Sequence, residues 1–228
     1  LPGAALWHMP WTAKDDGLDW QAYYQLRNRV VTALLHSPRP RGGWVLADTL
    51  AQDLNHVLCL QYGSAAVRHL ALRDVLSGPE HLHRTLARRR GEAREVLARF
   101  GQEVRPDAAL PSAASTTQPV HPRGAPAALR RLAAGGLRQL RRTPAPDERV
   151  DVRLDRVAGK WWALGVVDSA TVLSATGSGG FVFRRDRRIA ATLVRDAISL
   201  RLRLWWRWRG LAAAYRTAAP GLSSRAVW

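Results

Sequence analysis

The hydrophobic period of this 228-residue chain changes from helical to strand-like and back again, and that limits what it can fold into. Over the first hundred residues apolar side chains recur at helical spacing. Leu18, Tyr23, Leu26, Val30, Ala33 and Leu34 form one stripe, which ends at Ser37 and Pro38. Asp15, Asp16 and Asp19 stand before it, where acids cap free amides and complement the helix dipole. "WVLADTLAQDLNHVLCLQYG" keeps the period and is expected to end on Gly63 as a carboxyl cap. "SAAVRHLALRDVL" and "GPEHLHRTLARRRGEAREVLARF" read as two more helices. Later the period becomes two: "RVDVRLDRV" alternates, "WWALGVVDSATVLSAT" is β-branched and aromatic, and "GSGG" joins it to "FVFRR" as a hairpin. A long last helix, "RRIAATLVRDAISLRLRLWWRWRGLAAAYRTA", is expected to stop at Pro220.

Residues 103–126, rich in Pro, Ala, Ser and Thr, have no period and read as an exposed linker or long loop. "ALRRLAAGGLRQLRR" follows as a short basic amphipathic segment weakened by Gly135 and Gly136. "AALWH", at residues 4–8, is a short apolar run expected as a buried strand. The expected class is mainly α with a small β hairpin or sheet element.

A hydrophobic content of 46% is ample for a core and excludes disorder throughout. The formal charge of +17 is almost entirely arginine, since Lys14 and Lys160 are the only lysines. Such a charge attracts an anionic partner, whether nucleic acid, membrane surface or phosphorylated ligand, without choosing among them. The single cysteine, Cys59, excludes an internal disulfide and a Cys-cluster zinc site. No stretch approaches the roughly 20 apolar residues of a spanning helix, so a membrane contact is expected to lie on the surface.

Motifs with catalytic meaning are scarce. His81 and His83 are two apart, so on a helix they face away from each other and are expected as a solvated pair. His56 and Cys59 can share a helix face but lack the further ligands of a structural zinc, and Cys59 is expected in the core. "TGSGGFVF" runs into a strand rather than a helix amino terminus, which favours a β-turn over a phosphate cradle. No defensible Ser/His/Asp arrangement and no Asp-x-Asp pair occur.

The most distinctive basic stretch is "LRLRLWWRWRG". On a helix, Leu200, Leu204, Trp208 and Leu211 form one apolar stripe, with Arg201, Arg203, Arg207 and Arg209 around it. One reading is a core face with solvated arginines. The other is an interfacial helix on anionic lipid, with Arg201, Trp205, Trp206, Trp208 and Arg209 as membrane-facing candidates. No recognised nucleic-acid module accompanies the stretch.

At the amino end, Trp-His-x-Pro-Trp, an acidic turn and Asp-Trp-Gln-Ala-Tyr-x-x-x-Arg-Asn-Arg resemble the galactofuranosyltransferases that polymerise the galactan of the actinobacterial cell wall. "LCLQYGSAAVRHLALRDVLSGPEHL", "KWWALGVVDSATVLSATGSGGFVFRRDR" and "YRTAAPGLSSRAVW" extend the resemblance over nearly the whole chain apart from the linker. It implies a GT-A α/β core in which an Asp-x-Asp pair and one later histidine hold a divalent cation, Mn2+ or Mg2+. His8 matches that histidine, and a neutral imidazole suits such an ion. Trp11 matches a tryptophan near the substrate, and Gln25, where relatives are expected to carry histidine, is a further substrate-binding candidate.

The family's catalytic base and Asp-x-Asp are expected before Leu1, so the resemblance implies a carboxyl-terminal fragment, inactive alone. Residues 1–37 would end the GT-A core, 38–102 form a helical domain, 103–126 the linker, and 127–228 a basic helix, hairpin and long last helix. The implied reaction is inverting transfer from UDP-galactofuranose to lipid-linked galactan in arabinogalactan synthesis. The setting would be peripheral, on an anionic membrane at the cytoplasmic face of the plasma membrane, as a homo-oligomer with no nucleic-acid partner. The alternatives are the related initiating galactofuranosyltransferase and a non-catalytic basic module binding anionic membrane or nucleic acid.

Overall fold

The computed structural model describes residues 20–143, 149–175 and 177–222. Asp15, Asp16, Asp19 and the apolar run at 4–8 lie outside them. Helix α1 (Gln21–His36) buries Tyr23, Leu26, Val30 and Leu34 of the expected stripe together with Ala22, leaves Ala33 half-buried, and ends before Pro38, whose ring disfavours helical geometry at Ser37, while Leu18 lies outside the described residues. Helices α2 (Val45–Leu58) and α3 (Tyr62–Ser77) follow. Gly63 lies inside α3 instead of capping α2. Leu60 makes the reversal, with φ of 58°, while the Gln61 amide bonds the His56 carbonyl at 2.9 Å. A leucine in the left-handed region is uncommon, so the glycine signal pointed to the wrong residue.

Helix α3 is buried on nearly all sides and is the axis of the helical body, packed by α1, α2, α5 and α8. The long helix expected over 78–100 is two, α4 (Pro79–Thr85) and α5 (Arg89–Arg99). The turn between them lets Arg89 fold back onto Asp74 of α3, with two contacts of 2.6 Å.

The segment expected as a linker contributes two strands, β1 (Arg105–Pro106) and β2 (Ala113–Ser115). They join β3 (Val150–Leu154), β4 (Ser169–Leu173) and β5 (Gly179–Arg184) in a sheet ordered β1-β5-β4-β3-β2. Strands β4 and β5 are the expected antiparallel hairpin, with Thr171 opposite Val182, whereas β2-β3 and β3-β4 are parallel. Both additions are edge strands held by backbone pairing, and an edge tolerates Pro106. That pairing needs no apolar alternation, which is why it left no period in the sequence.

Helix α6 (Ala125–Leu140) runs unbroken through Gly135 and Gly136. At Gly135 a Cβ would lie only 3.3 Å from the Gly165 carbonyl oxygen, so the glycine allows close contact with the turn after α7 (Trp161–Leu164). Helix α8 (Arg187–Leu222) has 36 residues, about 54 Å at 1.5 Å per residue, with Pro220 in its last turn. Asp186 caps it by accepting the Arg188 and Ile189 amides at 2.8 and 3.0 Å.

Two cores are strung on α8. Its first half, through Ala190 and Leu193, packs with Phe181, Phe183, Val172 and Leu154 of the sheet and with Leu164 of α7. Its second half, from Leu200 to Tyr215, packs with Tyr23, Leu26 and Val30 of α1 and Leu72 and Val75 of α3. Each core draws residues from both segments 38–102 and 127–228. Among the described residues no helix is long and apolar enough to cross a membrane.

Candidate functional site

The basic aromatic stretch lies on α8, and its helical geometry divides it between two environments. Trp208 is 5% exposed and packs in the second core. Its ring presses on Gly42, which has φ of 73° and where any Cβ would collide with the indole. Arg201 is equally buried. These two membrane-facing candidates face the protein interior, because they fall on the same helical stripe as Leu200, Leu204 and Leu211. Trp205 is half-buried, with the Arg41 guanidinium 3.5 Å over its ring, a cation–π contact. Trp206 is 76% exposed and Arg209 is exposed, so these two remain available to a partner.

Arg201 ends in a buried ionic cluster. Asp53 of α2 receives it at 2.7 Å, receives Arg68 of α3 at 2.5 Å, and lies 3.1 Å from His69 Nε2. Arg68 and Arg201 also donate to the Thr49 carbonyl, at 3.3 and 2.8 Å. Burial opposes ionisation of Asp53, but the His69 hydrogen bond and the two guanidiniums outweigh it and hold the carboxyl far below its usual range. A second cluster centres on Asp74, which accepts the Tyr23 hydroxyl at 2.6 Å and both sides of the Arg89 fork, with His81 Nε2 at 3.0 Å. His81 is thus a partner of Asp74 and not a solvated residue, while His83 is exposed. In a third, Asp168 accepts Arg185 at 2.6 Å and Arg138 at 2.9 Å. All three carboxylates are committed to arginine, so none is free to act as a base.

Cys59 is buried in the first core, where loss of water pushes its thiol up to about 12 and leaves it unreactive. His56 Nδ1 lies 2.8 Å from Gln61 Oε1. Burial, with Arg68 nearby, drives its imidazole down to about 4. Between that value and the ordinary one near 6.5 the unfolded chain binds the extra proton, so stability falls as pH drops through this window. The loss is expected to reach up to about 3 kcal/mol. Chemical denaturation at pH 7 and pH 5 should show it, and His56→Gln should flatten the difference; an unchanged slope in the variant would assign it to other groups.

Two large concave surfaces lie among the described residues. A cleft of about 1110 Å³ lies where the end of α5, β1 and the start of α8 meet the sheet. A groove of about 940 Å³ runs between α2, α6 and α8, bordered by Leu132, Leu140, Ile198, Leu202 and Trp206. The charged residues lining the groove are Arg187, Arg195 and Arg203, with no carboxylate.

The remaining candidates are not gathered at either surface. His8 and Trp11 lie outside the described residues, and Gln25 is exposed on α1. Among the described residues no group of three or more His, Cys, Asp or Glu side chains could hold a metal ion.

A family model described as galactofuranosyltransferase-2, domain 3, matches residues 45–228. The chain belongs to this family. Across its full length it is 35% identical to galactofuranosyltransferase GlfT2 of Mycolicibacterium smegmatis and 34% identical to galactofuranosyltransferase GlfT2 of Mycobacterium tuberculosis. The alignments cover 36% and 37% of those relatives, so this domain 3 chain spans just over a third of their length. The family match takes in the groove, the cleft, and the Asp53 and Asp168 clusters. Sequence reasoning missed both concave surfaces and all three clusters. The one signal at hand was the row of exposed leucines, Leu129, Leu132, Leu137 and Leu140, along a basic α6.

Proposed function

We propose that this chain serves as the domain 3 part of a galactofuranosyltransferase that transfers galactofuranose, with inversion, from UDP-galactofuranose to lipid-linked galactan in arabinogalactan synthesis. The observation that carries the reading is the family match over residues 45–228 together with identity along the entire chain. The sequence has no Asp-x-Asp pair, and among the described residues no carboxylate grouping could hold a metal ion; in this reading the Asp-x-Asp pair and the catalytic base belong to the longer enzyme. A divalent cation, Mn2+ or Mg2+, belongs to the same reading, with His8 as this chain's ligand and charge neutralisation of the departing diphosphate as what the ion supplies. Trp11 and Gln25 would contact substrate.

A lipid-linked acceptor calls for contact with a bilayer. The apolar groove with an all-arginine set of charges supports an anionic membrane as its occupant, because its charge and its apolar lining match both parts of such a surface. The setting would be the cytoplasmic face of the plasma membrane, as a peripheral homo-oligomer.

The test is transfer activity. The chain alone is expected to give no turnover with UDP-galactofuranose and a lipid-linked acceptor. In a longer protein carrying this segment, His8→Ala should weaken manganese binding and lower transfer by about 100-fold. Turnover by the chain alone, or full activity of the His8 variant, would overturn the assignment.

A further inference from the structure

The cleft between the helical body and the sheet has a use that the glycosyltransferase reading does not assign. Arg99 at the end of α5, Arg105 on β1 and Arg184 on β5 line it, all exposed. Among the described residues none of these three guanidiniums has an ion-pair or hydrogen-bond partner. The carboxylates on the wall are occupied elsewhere. Asp168 is held by Arg138 and Arg185, Asp151 accepts the Asp168 and Ser169 amides at 2.7 and 3.2 Å, and Asp186 caps α8. Arginines outnumber carboxylates among the lining residues by five to three. Like charges brought to one concavity without counter-ions repel, and the concavity focuses their field on an incoming anion.

The rest of the lining sets the kind of anion. Phe100 and Ile189, both half-buried, give the cleft an apolar side, and Leu60, which borders it from the core, is held at φ of 58°. Such a conformation is strained and persists where the surroundings impose it, commonly beside ligand sites. Guanidinium forks match phosphate oxygens in geometry as well as charge. A cleft of about 1110 Å³ with three unpaired forks on separate elements exceeds what one inorganic phosphate fills.

We infer that this cleft binds an organic diphosphate, with Arg99, Arg105 and Arg184 on the phosphates and the Phe100 and Ile189 side against the organic group. A nucleoside diphosphate and an isoprenoid diphosphate share this chemistry. The inference stands on the cleft alone and is tested without any transfer assay.

The experiment is titration calorimetry of the full chain with inorganic pyrophosphate, UDP, farnesyl diphosphate, uridine and farnesol. The three diphosphates should bind and the two alcohols should not. Tighter binding of UDP would identify a nucleotide source, and tighter binding of farnesyl diphosphate an isoprenoid one. Arg99→Gln, Arg105→Gln and Arg184→Gln should each weaken binding about 10-fold, the scale of a hydrogen bond to a charged group, while Arg209→Gln should not. Hydrogen exchange of the unmutated chain should show diphosphate protecting residues 99–105 and 179–186. The proposal fails if no diphosphate binds, if the three variants bind like the parent, if protection falls elsewhere, or if duplex DNA displaces the diphosphates through surfaces the three variants leave intact.

Discussion

Replacing Asp53 by Asn is expected to destabilise the chain by about 3–5 kcal/mol, because it leaves two buried guanidiniums without their counter-ion. Asp53 is 1% exposed, and Arg68 and Arg201 are 2% and 5% exposed, so water cannot take over the lost role. The amide can still accept from one donor, but it cannot offset two positive charges in a low-dielectric interior. At this chain length the loss corresponds to a fall in Tm of roughly 6–20 °C. The cluster joins α2, α3 and α8, so its loss should loosen the docking of the long helix and not merely one side chain. Arg201 already carries a buried Nε without a hydrogen-bond partner. Arg201→Met in the Asp53→Asn background should therefore recover part of the loss, and a double-mutant cycle should give coupling well above the few tenths of a kcal/mol typical of independent sites. The depressed Asp53 carboxyl gives a matching pH sign: its contribution is complete above the ordinary carboxylate range and is lost as pH falls through its folded value. A variant melting within a degree or two of the parent would mean the ion cluster contributes nothing net.

The cluster also shows where reading the sequence stops. The α1 stripe, the β4-β5 hairpin and the α8 core stripe of Leu200, Leu204, Trp208 and Leu211 were all legible, since each is a local period that burial enforces. The pairing of Asp53 with Arg201 was not, because charges distant in sequence carry no period. Edge strands β1 and β2 were hidden for a related reason: backbone hydrogen bonds hold them, and almost any composition supplies those. The turn at Leu60 was misplaced because it breaks the glycine preference. At the candidate sites, arginines were visible as composition, but only the fold separates Arg185, which is committed to Asp168, from Arg184, which is not. The family resemblance reached further than periodicity, since it rested on particular residues and not on a hydrophobic pattern, and the family match over residues 45–228 bears it out.

Trp206 and Trp208 are two residues apart on one helix and should fail in different assays. Trp208→Ala is expected to cost about 3–5 kcal/mol, the usual price of removing a buried aromatic side chain from a packed interior. The cavity would open between α8, the Gly42 turn and the second core, and Gly42, whose backbone conformation is fixed by its φ of 73°, is poorly placed to fill it. Trp206→Ala removes a side chain that is 76% exposed, and stability should stay within about 0.5 kcal/mol. Its effect belongs on vesicles. With the Arg195→Ala and Arg203→Ala changes added, two groove cations are lost at about 1 kcal/mol each, so partitioning onto anionic vesicles should fall about 30-fold. Zwitterionic vesicles should show a smaller change, coming from Trp206 alone. Thermal melts and co-sedimentation of the two tryptophan variants, run side by side, separate packing from surface binding. If Trp206→Ala with both arginine changes sediments with anionic vesicles as the parent does, the groove is not the membrane face, and the basic charge of the chain must serve another anion.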